Sequence, residues 1–257
     1  MNKNIKLAVA GAVLSLSAIS ANAGIIIPAG EGTVDLSGNV NSYAIWQKGS
    51  GSAGAMGGGL AGGKSSTQAS QSTGLLPNFL SLSGSTRQND LDVTWLISIN
   101  PGGYSSTGAS GGSGTEHRQA FMTFGDKSWG SVKVGKDLGI YASDAILNDM
   151  TLLGVGSPNL TGTTTLGRIG TGFQYADWKQ QIAYTTPNFS GFQATVGITQ
   201  AWNTTASVTG KSFSTDSQGG ASPAYEGKAS YSFAANDVTG KIWVSGIVQK
   251  VDGVASG

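Results

Sequence analysis

The sequence contains no cysteine, which excludes disulfides and thiolate metal sites. Charge is scarce as well. Asp, Glu, Lys and Arg make up 11% of 257 residues, against roughly a quarter in a soluble globular domain. There is a single histidine, His117, with no second ligand type clustered near it in sequence, so no metal or cofactor is expected. No Gly-x-Ser-x-Gly elbow surrounds a serine. The glycine-rich tracts lack the lysine and the strand-to-helix context of a phosphate loop. These absences leave no catalytic constellation, and an enzyme is not expected. Long apolar runs are missing too. After residue 23 no segment has 18 consecutive apolar residues, so a membrane location would require a closed β-barrel, the one alternative to helices that satisfies its backbone in lipid.

What is present begins with the N-terminus. Lys3 and Lys6 precede an apolar stretch from Leu7 to Ile19, and Ala21-Asn22-Ala23 follows. This is the pattern of a secretory signal peptide over residues 1–23, because the apolar core of 13 residues falls short of the ~20 needed to span a bilayer. Without those two lysines, 13 basic residues face 14 acidic ones, a net charge of −1. That balance gives no pointer to nucleic acid.

From residue 24 on, the dominant signal is alternation with a period of two, the mark of half-buried strands. Leu91, Val93, Trp95, Ile97 and Ile99 share one parity, opposite Asp92, Thr94 and Ser98. Phe192, Ala194, Val196 and Ile198 alternate with Gln193, Thr195, Gly197 and Thr199. Gly227, Ala229, Tyr231 and Phe233 alternate with Glu226, Lys228, Ser230 and Ser232, and Ile242, Val244 and Val248 oppose Lys241, Ser245 and Gln249. Nine segments of this kind are predicted, at 33–47, 79–88, 90–100, 116–124, 131–136, 173–185, 192–202, 225–234 and 240–251. The segment 173–185 changes parity, which a β-bulge near Asp177-Trp178 would reconcile.

The connections alternate in length. Long ones at 48–78, 101–115, 137–172 and 203–224 interleave with short ones near Asn89 and at 125–130, 186–191 and 235–239. Short turns at one end and long loops at the other are the pattern of an outer-membrane barrel. Alternation alone does not distinguish it from a soluble β-sandwich, because the two architectures differ only in which face is wet.

Two motifs point to a family. Arg118-Gln119-Ala120-Phe121-Met122-Thr123-Phe124, a turn from Gly125 to Trp129, and Gly130-Ser131-Val132-Lys133-Val134-Gly135-Lys136 form the first. Tyr184-Thr185-Thr186-Pro187-Asn188-Phe189-Ser190-Gly191-Phe192 is the second. In this order, with a loop between them, they resemble the Gram-negative general porins, over roughly residues 116–200. The resemblance implies an all-β fold, a transmembrane antiparallel β-barrel of sixteen strands, usually trimeric and water-filled. Residues 24–257 would form the barrel domain, with about nine of the sixteen strands and the rest lying beyond the C-terminus. The implied location is the outer membrane. The implied partners are its lipid, two further copies in a homotrimer, and small hydrophilic solutes and ions.

The resemblance also implies an eyelet. The loop at 137–166 would fold inward, setting its acidic residues Asp144 and Asp149 against basic wall residues Arg118 and Lys133, with Arg168 after the loop and Arg87 as a further wall candidate. Lys133 lies opposite Val132 and Val134 in parity, while Arg118 shares a parity with Ala120 and Met122. The loop lacks the family's Pro-Glu-Phe-Gly-Gly segment and has Ser143-Asp144-Ala145-Ile146-Leu147-Asn148-Asp149-Met150, compatible with one or two helical turns. The expected function is passive diffusion of ions and small hydrophilic solutes. A substrate-specific channel, an outer-membrane enzyme or adhesin barrel, and a secreted β-sandwich lectin are the alternatives.

Overall fold

The computed structural model describes residues 23–48, 67–73, 76–104, 114–148, 176–201, 222–235 and 237–250. The signal-peptide reading of residues 1–23 falls outside them except for its last residue. Strands dominate. In chain order they are β1 (Ala23–Ala29), β2 (Gly32–Asn39), β3 (Tyr43–Lys48), β4 (Thr67–Ser72), β5 (Phe79–Gln88), β6 (Leu91–Tyr104), β7 (Gly114–Glu116), β8 (Ala120–Asp126), β9 (Gly130–Leu138), β10 (Trp178–Thr185), β11 (Phe192–Thr199), β12 (Ala224–Ala235) and β13 (Val238–Val248). One short helix, α1 (Ser143–Leu147), follows β9.

Every pairing is antiparallel. The main sheet runs β1-β2-β5-β6-β8-β9-β10-β11-β12-β13, with β7 on β6, and β3-β4 forms a separate hairpin. Among the described residues the sheet is not closed, with β1 and β13 as its outer strands. The connections at 30–31, 89–90, 127–129 and 186–191 are short and gather at one end. Those that carry the main sheet from β2 to β5, β6 to β8, β9 to β10 and β11 to β12 are longer and leave from the other.

Because antiparallel partners directly opposite each other share a face, the register fixes both surfaces of the sheet. One surface carries Leu36, Leu82, Ile97, Met122, Val134, Ile182, Val196, Tyr225 and Val244 on neighbouring strands. The other carries Asp35, Ser83, Thr94, Lys133, Gln181, Thr199, Glu226 and Ser245. The apolar surface is the outer one: Ile182 is 59% exposed and Val244 69%. The buried groups are mostly polar, among them Asn39, Ser81, Ser98, Asn100, Asp137, Lys179, Gln181, Thr199 and Glu226. A β-sandwich in water buries its apolar face. This sheet does the reverse, which is the arrangement a transmembrane barrel requires.

The structure departs from the sequence reading in several places, and the predicted strand 116–124 is divided between β7 and β8. Strand β1 was not expected, because Ile25-Ile26-Ile27-Pro28 is an unalternating run containing proline; the strand lies at the sheet edge, where proline is tolerated. The segment 33–47 is two strands. Asn41 breaks it by donating its backbone N–H to Asn78 Oδ1 (2.5 Å) and its side-chain amide to the Leu76 carbonyl (2.8 Å), bonds that compete with the ladder. Strand β4, Thr-Gln-Ala-Ser-Gln-Ser, has no apolar face to reveal it within the long connection 48–78. The segment begun at 173 is ordered as a strand only from Trp178, after Asp177 at φ 60, and residues 173–175 lie outside the described ones.

Candidate functional site

After Leu138 the chain turns across the polar face of the sheet. Gly139 donates its N–H to the Asp177 carbonyl at 2.7 Å. Ile140, 5% exposed, presses its Cδ1 against the strand at Gly197, where a Cβ would lie 2.7 Å from that methyl. Glycine at 197 is what allows this close approach. The backbone N–H of Tyr141 donates to Glu226 Oε2 at 2.8 Å, and that of Ala142 to Ser245 Oγ at 3.2 Å. The loop is thus pinned to β12 and β13 before α1 begins.

The helix has five residues and enters from Ala142 in the left-handed region, φ 59, with no side-chain cap. It is too short to be stable by propensity. What holds it is Asp144, whose side chain is 5% exposed. Its Oδ2 accepts from Lys228 Nζ at 3.0 Å and its Oδ1 from Lys241 Nζ at 2.5 Å. Lys228 also donates to Ser143 Oγ at 3.1 Å. Two residues before Lys228 on the same strand lies a closed group. Glu226, with a fully buried side chain, accepts from Lys179 Nζ (2.7 Å) and Thr199 Oγ1 (2.8 Å) as well as from Tyr141.

Two effects act on the Asp144 carboxyl. Burial pushes its pKa up, while the hydrogen bonds from Lys241 and Lys228 and their charges pull it down, and the net direction is down from the ordinary carboxylate value. A carboxyl whose pKa is lowered in the docked state favours docking at every pH above its ordinary pKa and loses that contribution as pH falls through the lowered value. Asp144 faces Lys228 from β12 and Lys241 from β13. The α1 contact is therefore expected to be unchanged from pH 8 to pH 5 and to loosen only in strong acid, below about 3.9. Single-channel current noise, flat from neutral pH down to that point and rising below it, would show this.

The basic residues expected on the wall are placed as follows. Lys133 is on the polar face, ion-paired with Asp137 four residues further along the same strand, and lies 4.6 Å from the Phe121 ring centroid. Gln119 donates to the same Asp137 at 3.0 Å. Arg118 does not reach α1. It is buried on the parity of Ala120, pairs with Glu116 at 2.8 Å and lies 5.4 Å over the Trp178 ring. Arg87 sits at the short-turn end, bound to Asp92 (2.6 Å) and Asp126 (3.0 Å), remote in register from α1. Asp149 and Arg168 lie outside the described residues. Among the described residues no three metal-ligating side chains gather.

Sequence reasoning missed the residues that meet Asp144. Lys228 and Lys241, like Glu226, were visible only as polar markers opposite an apolar stripe. Their signal was parity: both fall on the wet face of strands that pair through Lys228↔Ser245 and Ser232↔Lys241.

The comparisons agree with this geometry. The family model for Gram-negative porins matches residues 8–248. The chain belongs to the Gram-negative porin family. Among solved structures this porin is similar to the outer membrane channel DcaP of Acinetobacter baumannii, at TM-score 0.51 and 17% identity, over 87% of this chain and 55% of that one. The likeness is one of fold, and the porin spans little more than half the length of that channel. No curated protein sequence matches. In the barrel of this family the apolar face meets outer-membrane lipid and the polar face lines the interior, so α1 lies on the interior side of the wall.

Proposed function

We propose that this porin forms a water-filled channel for passive diffusion of ions and small hydrophilic solutes, narrowed by the loop 137–166. The observation that carries the reading is the docking of α1 on the interior face through Asp144, Lys228 and Lys241. A loop held there reduces the free cross-section and exposes charge to passing solutes. Selectivity then follows from the radius and the charges lining it. The basic wall in this reading is Lys228 and Lys241, with Lys133 further along the same face, in place of Arg118 and Arg87. Asp144 is the acidic loop residue, and Asp149 and Arg168 are proposed to extend the same eyelet. The working form is a homotrimer in the outer membrane, delivered there by a cleaved signal peptide.

Planar-bilayer recording of the purified protein tests this. Stepwise conductance in KCl is expected. Lys228→Gln with Lys241→Gln removes two positive charges beside one negative, so the reversal potential in a KCl gradient is expected to move toward cation preference. Conductance steps with an unchanged reversal potential in the double variant would reject this eyelet, and the absence of steps in the parent would reject the channel.

A further inference from the structure

Asp144 divides its two carboxylate oxygens between two ammonium groups, Oδ2 on Lys228 and Oδ1 on Lys241. One negative charge therefore serves two positive ones. Among the described residues, the other lysines on the polar face of β9 to β13 each have a carboxylate of their own, Lys133 with Asp137 and Lys179 with Glu226. Among these described ion pairs the surplus positive charge is at the Lys228–Lys241 pair. Exposure is divided in the same way. The Asp144 side chain is 5% exposed, while those of Lys228 and Lys241 are 24% and 38% exposed. Solutes in the lumen thus meet the ammonium groups, with the carboxylate behind them.

Donor capacity is also in surplus. An ammonium has three donors. Lys241 gives one to Asp144, and Lys228 gives one each to Asp144 and Ser143. The position held by Asp144 is fitted to a carboxylate on the protein's own evidence, since a carboxylate already occupies it with one oxygen per lysine.

We propose that Lys228 and Lys241 form a binding station for the carboxylate group of an anionic solute, and that Asp144 is a tethered carboxylate occupying the station between passages. The proposal rests on reading the polar face as a pore lumen. A solute carboxylate recruits the exposed donors and competes with Asp144 for the two ammoniums. Charge-assisted bonds of this kind are the stronger class of hydrogen bond, and the exchange replaces one such set by another. Solute carboxylates compete for the two ammoniums in this way, while neutral solutes of the same size do not.

The test uses the purified protein in planar bilayers, with sodium acetate as probe and glycerol as the neutral control. The quantity read is the acetate concentration giving half its effect on the single-channel current. Asp144→Asn removes the tethered competitor and is expected to lower that concentration by about tenfold, the factor that corresponds to one charge-assisted hydrogen bond. Lys241→Gln is expected to raise it by at least as much, and glycerol to have no such effect in any variant. A half-effect concentration that Asp144→Asn leaves within twofold of the parent overturns the station, as does equal sensitivity to glycerol. Should Lys241→Gln fail to insert, the Asp144→Asn comparison decides by itself. A parent that conducts but ignores acetate rejects the station alone, whereas a parent that opens no channel rejects the pore reading and the station with it.

Discussion

Glu226→Ala is expected to destabilise the barrel by about 3–5 kcal/mol, the cost of stranding one member of a buried ion pair. The Lys179 side chain is 3% exposed and its ammonium rests on Glu226 Oε1 at 2.7 Å. The alanine variant leaves that charge in a site that water does not reach. It also strips the acceptor from Thr199 Oγ1 and from the Tyr141 N–H, the first clamp on the loop. The check is the urea midpoint of the protein in lipid vesicles, followed by tryptophan fluorescence. Removing both charges gives the decisive comparison. Lys179→Met with Glu226→Leu takes away the pair together, and apolar replacements of similar volume are often neutral or better for buried pairs. The double variant is therefore expected to be more stable than Glu226→Ala alone. If the two variants unfold at the same midpoint, the cost lies in the loop clamp and not in the stranded lysine.

Glu226 shows where sequence reading stops. The strand Ala224–Ala235 was legible because its parities separate into Tyr225, Gly227, Ala229, Tyr231 and Phe233 against Glu226, Lys228, Ser230 and Ser232. A period of two is a local property, readable over eight residues. The partner of Glu226 is not local. Lys179 is 47 residues away, and the Tyr141 N–H is 85. Both reach it only because β9, β10, β11 and β12 stack in register. Strands without alternation were lost for the matching reason. Ala23–Ala29 is apolar on both parities, and Thr67–Ser72 is polar on both.

Of the proposed eyelet, the loop helix was legible in the sequence and most of its wall contacts were not. The expectation of helical turns in the stretch beginning at Ser143 is met by α1, and Asp144 is the loop carboxylate that touches the wall. Arg118 was chosen because it opens a strand in the recognisable motif. The structure places it just before β8, buried, where it pairs with Glu116 beside Trp178 and does not touch α1. Its parity in the sequence is that of Ala120 and Met122, and a one-residue offset moves a side chain from one face of a sheet to the other. The lysines that do meet Asp144 lie 84 and 97 residues from it. No motif spans that distance, and only the inward turn of the loop brings them together.

The same parity rule yields a test of which face meets lipid, at two adjacent residues in the middle of β5. Leu82 lies on the apolar face, 41% exposed, opposite Leu36 and Ile97. Ser83 lies on the polar face, opposite Asp35 and Leu96. Leu82→Arg places a guanidinium against hydrocarbon and is expected to cost about 2–4 kcal/mol, the figure for a cation on the lipid face near the bilayer midplane. Ser83→Arg keeps the charge in the lumen, beside Asp35, and is expected to change stability by no more than about 0.5 kcal/mol, as for an ordinary exposed site. A sheet standing in water gives a different result, because an arginine at a position as open as Leu82 then behaves as a surface substitution and costs almost nothing. Unfolding midpoints of the two variants in lipid vesicles measure the difference directly. A large loss at Leu82 beside a small change at Ser83 fits lipid on the apolar face, whereas equal effects at the two positions would contradict the barrel orientation on which the lumen, the docked helix and the lysine pair all depend.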